Sequence, residues 1–130
     1  MAESIASPSR ILIAGCSESE VEFVADATSS RNRIIETAKS GAECLSQLQR
    51  FQPHLVLIDT AITGPDAFQL CHHIKCDHTA MVVIVTTVTA LGDIERGIDA
   101  GTDDFLSKPL KRTELLPRVE GLLTLRGNER

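Results

Sequence analysis

Three residues of different chemistry stand at the ends of apolar runs. Asp59 closes Leu55-Val56-Leu57-Ile58, Thr86 closes Met81-Val82-Val83-Ile84-Val85, and Lys108 follows the short run Asp104-Phe105-Leu106-Ser107. Apolar residues in unbroken succession, bounded by turn formers such as Pro53 and Gly64-Pro65-Asp66, read as strands buried on both faces. In open parallel α/β sheets the chemistry collects outside the carboxyl ends of the strands, so Asp59 is the first candidate. A carboxylate joined there by an ammonium and a hydroxyl suits transfer of a charged group, because both donors can be aimed at charge developing on oxygen. Each residue also has a plainer role: an Asp that begins a turn, a Thr that favours strands, a Lys solvated in a loop. Convergence on one rim of a sheet is what separates the two readings.

The elements that must bring them together follow from periodicity. Residues 1–9 are polar and aperiodic and read as a loose tail, and Ile11-Leu12-Ile13-Ala14 is the first buried strand. Ser17 with Glu20, or Ser19 with Glu22, is a capping-box pattern that opens a helix carrying Val21, Val24, Ala25 and Thr28 on one face. Arg33 to Thr37 is a strand with polar ends, which predicts the sheet edge. Ser40 with Glu43 opens a second helix, with Cys44, Leu45, Leu48 and Phe51 facing inward. Pro65 or Asp66 starts a third, through Phe68, Leu70, Cys71 and Ile74. Thr89 caps a fourth, with Leu91, Ile94 and Ile98 on one face and Gly101 at its end. Leu115, Leu116, Val119, Leu122 and Leu123 form the stripe of the last helix, where Pro117 removes a backbone hydrogen bond unless it falls in the first turn. Five strands alternating with five helices through short loops predict a parallel sheet covered on both faces.

Bulk composition narrows the class. The chain has 130 residues, a formal net charge of -5, four Phe, and no Trp or Tyr. That is one domain, without the basic surface or the rows of rings that nucleic-acid binding uses. No run approaches the ~18 apolar residues of a membrane span, and the first residues lack the basic and apolar regions of a signal peptide. Four Cys without paired spacing suit reduced thiols in a cytoplasm.

The motifs taken together resemble the receiver domains of two-component response regulators. The resemblance is carried by Pro53 to Asp59, then Gly64-Pro65-Asp66 with Phe68 and Leu70-Cys71. It continues through Val82 to Thr86, Gly97 to Gly101, and Asp103 to Pro109, in the family's order and without a gap. It covers residues 10–125, leaving 1–9 as a tail and 126–130 as a tail or the start of a linker. It implies a flavodoxin-like, doubly wound (βα)5 fold with a five-stranded parallel sheet in order 2-1-3-4-5. It implies that Asp59 accepts a phosphoryl group from a histidine kinase or phosphotransfer protein, with Thr86 and Lys108 on the phosphoryl oxygens. Thr86 and Phe105 take the switch positions, and Lys108-Pro109 the position of a cis peptide. Signalling would pass to an output domain or protein through the 89–125 face, where the family also dimerises. No membrane or nucleic-acid partner is implied, and no turnover of substrate beyond phosphorylation and dephosphorylation at Asp59.

One corner departs from the family. Two adjacent acidic residues normally follow the first strand and, with the acceptor Asp, hold Mg²⁺; here Gly15 and Cys16 stand there. Mg²⁺ wants oxygen ligands, and a thiol is a poor one, so only Asp59 and the Ala61 carbonyl are left and binding is expected to be weak. Losing about 3–4 kcal/mol of metal assistance would slow transfer by roughly 10²–10³-fold. Glu18 or Glu20 are the nearest substitutes. Changing Gly15 and Cys16 together to Asp is expected to raise phosphorylation. Two smaller departures, Thr63 and Ala67 for the family's Pro and Gly, lie in the loop after Asp59.

Three other readings compete. A receiver fold that has lost Mg²⁺-dependent phosphorylation would serve as a protein-interaction module. Cys16, near a helix N-terminus that lowers thiol pKa, could sense oxidation. Cys71-His72-His73 and Cys76-Asp77-His78 suggest a metal, since His72 and Cys76 share one helix face. In the fourth helix, Gly92 and Gly97 either weaken it for switching or allow close packing.

Overall fold

The computed structural model describes residues 8–29, 32–87 and 91–127. The elements are β1 (Ser9–Ala14), α1 (Glu18–Ala27), β2 (Arg33–Ala38), α2 (Gly41–Phe51), β3 (Leu55–Asp59), α3 (Ala67–Asp77), β4 (Met81–Thr87), α4 (Leu91–Ala100), β5 (Asp104–Lys108) and α5 (Arg112–Leu125). The strands form one parallel sheet in the order β2-β1-β3-β4-β5. β2 lies at the edge, as its polar ends predict.

Alternation along the strands divides the core in two. Leu12, Ala14, Val56, Ile58, Val82 and Ile84 pack with Leu48 of α2, Leu70 and Ile74 of α3, and Ala100 of α4. Ile11, Ile13, Leu55, Leu57, Val83 and Val85 pack on the other face with Val24 of α1 and Leu115, Val119 and Leu123 of α5. Side chains that point to opposite faces with period 2 require this arrangement once helices cover both sides.

Helix starts follow their side-chain chemistry. Ser17 is the N-cap of α1 and forms the capping box with Glu20, not Ser19 with Glu22. Ser40 caps α2 by accepting from the Glu43 N–H. Asp66 caps α3 and accepts from the Phe68 and Gln69 N–H groups at 3.0 and 2.9 Å. The expected Thr89 cap lies outside the described residues. Pro117 is the sixth residue of α5, beyond the first turn, so it does remove one helical hydrogen bond.

Three expectations need correction. Ser9, expected in the tail, opens β1 opposite Arg33 and is buried; a polar residue in the ladder leaves no periodic signal. In α1 the residues fully buried are Val24 and Ala27, with Thr28 just beyond, while Ala25 is only half-buried. Ile98 of α4 is 64 % exposed. The buried side of that helix is Gly97 and Ala100 instead, because a Cβ on Gly97 would lie 2.5 Å from the Phe105 ring. Gly97 therefore serves close packing. Gly92 faces open space.

No helix among the described residues is long and apolar enough to cross a membrane.

Candidate functional site

Register brings the carboxyl ends of the strands to one rim. Ala14 pairs with Ile58, Asp59 with Val85, and Thr86 with Ser107, so residues that end their strands are neighbours in space. Asp59 is 2 % exposed and Thr86 4 % exposed. Oδ1 of Asp59 accepts the Ala61 N–H at 2.8 Å, while the Thr60 N–H donates to the Val85 carbonyl at 3.0 Å and the Ile62 N–H to the Asp59 carbonyl at 3.1 Å. The hydroxyls of Thr60 and Thr86 lie 3.5 Å apart. The loop that follows is braced by α2: Gly41 donates its N–H to the Thr63 carbonyl at 2.8 Å and lies so close to Pro65 that no side chain would fit.

Lys108 ends β5, and its Nζ is ion-paired with Oδ2 of Asp59. Lys108-Pro109 is cis, as is Gly64-Pro65. Phe105 is half-buried against the α2/α3 face of the core and packs on Gly97. Asp103 fixes the approach to β5 by accepting the Val82 N–H at 2.7 Å and Lys75 Nζ at 2.8 Å. Asp104 accepts Arg118 Nε of α5 at 3.0 Å.

The opposite corner is rebuilt. Gly15 has φ +83°, and a Cβ there would come within 2.8 Å of Ile62 Cβ. An acidic residue at 15 would be strained by that backbone and by the Ile62 contact, a cost that the expected gain from Asp at both 15 and 16 does not include. The acid that reaches the site is Glu20, from the first turn of α1. Its Oε2 lies 3.0 Å from Lys108 Nζ, and Oε1 accepts the Ser17 N–H at 3.0 Å. In the sequence Glu20 is visible as half of a capping box and as a possible substitute; its ion pair with Lys108 is not.

The charges reinforce one another. Burial pushes the Glu20 carboxyl up, but the Ser17 N–H and the Lys108 ammonium outweigh it and hold the group below its usual range. Burial lowers the Lys108 ammonium, and bonding to Asp59 and Glu20 more than reverses this, so its pKa is raised. The Cys16 thiol is pushed up to about 12, first by burial and then by the nearby Asp59 and Glu20 carboxylates. Both effects favour the protonated thiol, a poor nucleophile, and so weigh against the oxidation-sensing reading.

Cys16, Glu20 and Asp59 offer ligand atoms within 4.8 Å of one another and are the only such group of three or more among the described residues. They fit Mg²⁺ poorly. One donor is a protonated thiol, and the Lys108 ammonium already bridges the two carboxylates. The Cys-His motif of α3 does not assemble: Cys71 is buried with its Sγ 3.6 Å from the Ala100 carbonyl, while Cys76 and His72 make an exposed pair at 3.6 Å.

A flavodoxin-like sheet with a buried carboxylate, a hydroxyl and a lysine at its carboxyl rim places the chain among doubly wound α/β domains whose chemistry sits at that rim. The chain belongs to the response regulator receiver domain family, whose model matches residues 11–120. It is 37 % identical over 87 residues to the heme response regulator HssR of Staphylococcus aureus strain bovine RF122 / ET3-1, a match covering 67 % of this chain and 39 % of that protein. The chain thus spans about two fifths of the length of the curated relatives it matches. The fold is also that of a signal receiver domain of an HD domain-containing protein from Pseudomonas fluorescens Pf-5, with TM-score 0.85 and 21 % identity over 94 % of this chain and 99 % of that one. A CheY-like response regulator receiver domain protein from Methanospirillum hungatei JF-1 superposes with TM-score 0.83 at 20 % identity, over 93 % and 98 %. This is a receiver domain of two-component signalling. The family generally binds Mg²⁺ and acts with histidine kinases and output domains.

Proposed function

We propose that Asp59 accepts a phosphoryl group from a phosphohistidine of a histidine kinase or phosphotransfer protein, and that the signal is read through protein contacts. The observation that carries this is the Lys108 ammonium seated against the buried Asp59 carboxylate. An oxygen of Asp59 bonds to phosphorus as the bond from phosphorus to the donor's leaving atom breaks, and the leaving group departs with the electron pair. Charge on the phosphoryl oxygens is met by Lys108 and by the Thr86 hydroxyl. Mg²⁺, where bound, would neutralise part of that charge through Asp59 and the Ala61 carbonyl; the poor donor set makes this assistance small.

Thr86 and Phe105 are the switch residues of this reading, supported by the Phe105 ring against Gly97 of α4. The output partner, or a second copy of the domain, uses the face from 91 to 125, which carries the exposed Ile98; residues 89 and 90 of the expected 89–125 face lie outside the described residues.

Intact-mass measurement after incubation with acetyl phosphate and Mg²⁺ tests the acceptor. Wild type should gain one phosphoryl group, slowly, and Asp59→Asn none. Absence of any gain in wild type would overturn phosphorylation in favour of a protein-interaction module, and an equal gain in Asp59→Asn would move the acceptor elsewhere.

A further inference from the structure

An ammonium carries three N–H donors. Lys108 is engaged by Asp59 Oδ2 and by Glu20 Oε2, the latter at 3.0 Å, and among the described residues it has no other partner. With two of the three donors occupied, one N–H is left for an oxygen arriving at Asp59. The stem of a lysine has four flexible carbons, so a single anchor would leave Nζ free to swing.

Glu20 is itself held. Its Oε1 accepts the Ser17 N–H at 3.0 Å, and its own N–H donates to Ser17 Oγ at 3.3 Å, closing the capping box at the start of α1. The carboxylate therefore presents Oε2 to Lys108 from a rigid turn. Positions 15 and 16 supply no acid, and the backbone of Gly15 admits none without strain.

We infer that Glu20 is a positioning residue for phosphoryl transfer at Asp59: from the first turn of α1 it holds the Lys108 ammonium beside the acceptor carboxylate. Asp59 alone does not hold the ammonium in one place through the reaction, because its negative charge moves outward onto the phosphoryl oxygens once one carboxylate oxygen bonds to phosphorus. Glu20 keeps its charge throughout. The ammonium is thus in place both before transfer and after it, when its free N–H meets a phosphoryl oxygen. This rests on the reading of Asp59 as acceptor.

Glu20→Gln separates this role from capping. The amide oxygen still accepts the Ser17 N–H, so the box is preserved, while the charge on Lys108 is lost. With acetyl phosphate as donor, the rate of mass gain at saturating donor should fall roughly tenfold. The donor concentration giving half that rate should be unchanged. Glu20→Asp, which keeps the charge on a shorter arm, should recover part of the rate. The Lys108 side-chain ammonium resonance should be sharp in wild type and broadened in Glu20→Gln. A Glu20→Gln rate equal to or above that of wild type would overturn the inference and leave the acceptor reading standing. A wild-type protein that gains no phosphoryl group would overturn the acceptor reading, and this inference with it, whatever the ammonium signal does.

Discussion

On one side of Asp59, β4, β5 and α4 bring Thr86, Lys108 and Phe105 to the rim with Gly97 packed beneath the ring. On the other side, the turn from β1 into α1 offers Gly15, Cys16 and, one helical turn later, Glu20. The first side keeps the residue types the receiver family uses. The second has exchanged a pair of metal-binding acids for a single acid that binds a lysine. The lesson is that counter-charge at a buried rim carboxylate can be supplied from within the chain, and that the arrangement is fixed by backbone as well as by side chain.

The sharpest test of that contrast substitutes positions 15 and 16 separately. Gly15→Asp forces a side chain onto a left-handed backbone and against Ile62 Cβ at 2.8 Å, and should destabilise the fold by about 2–4 kcal/mol in urea unfolding. Cys16→Asp meets no such barrier. It should cost less than Gly15→Asp, about 1–2 kcal/mol for a third carboxylate beside Asp59 and Glu20, and make phosphorylation with acetyl phosphate faster and Mg²⁺-dependent. Equal destabilisation by both would erase the distinction between them.

A test on the Thr86–Lys108 side comes next in size. Gly97→Ala puts a Cβ 2.5 Å from the Phe105 ring and 3.3 Å from Ile84. The ring must move, and unfolding measurements should give a loss of about 1–3 kcal/mol, against no loss for Gly92→Ala, where nothing lies within 4 Å.

The smallest effect is the pH dependence of the Glu20–Lys108 pair. Glu20 has a folded pKa below its ordinary 4.5, so its contribution is present above pH 4.5 and fades as pH falls through the folded value. Lys108 is raised above 10.5, so its contribution is present below that pH and is lost as pH rises through the folded value. The difference in stability between wild type and Glu20→Gln should therefore be flat across neutral pH and shrink at both extremes. Its size stays below about 1 kcal/mol because the pair is partly solvated. A difference that grew in acid would contradict the ion pair.

The same two sides differ in how far the sequence discloses them. Asp59, Thr86 and Lys108 are legible because each lies at or next to the carboxyl end of a strand, and parallel register carries strand ends to one rim whatever the loops do. The emptied acidic positions are equally plain in Gly15 and Cys16. Glu20 is not, because a capping acid and a site acid look alike until the direction of Oε2 is known; an acid one helical turn past a stripped pair is the available hint. Ile98 misleads for a related reason. Apolar spacing alone places it inward, but the Phe105 ring takes that space and turns Gly97 toward the sheet. Ser9 joins β1 through backbone pairing with β2, which carries no signature in its side chain.

The left-handed turn at Gly15 bears on descent. With Ile62 filling the volume a side chain would need, an aspartate at position 15 is no longer one mutation away in practice: the neighbour or the turn must change first. Placing an acid at this corner therefore calls for coupled changes at positions 15 and 62, whereas the lysine–glutamate pair stands on the turn as it is.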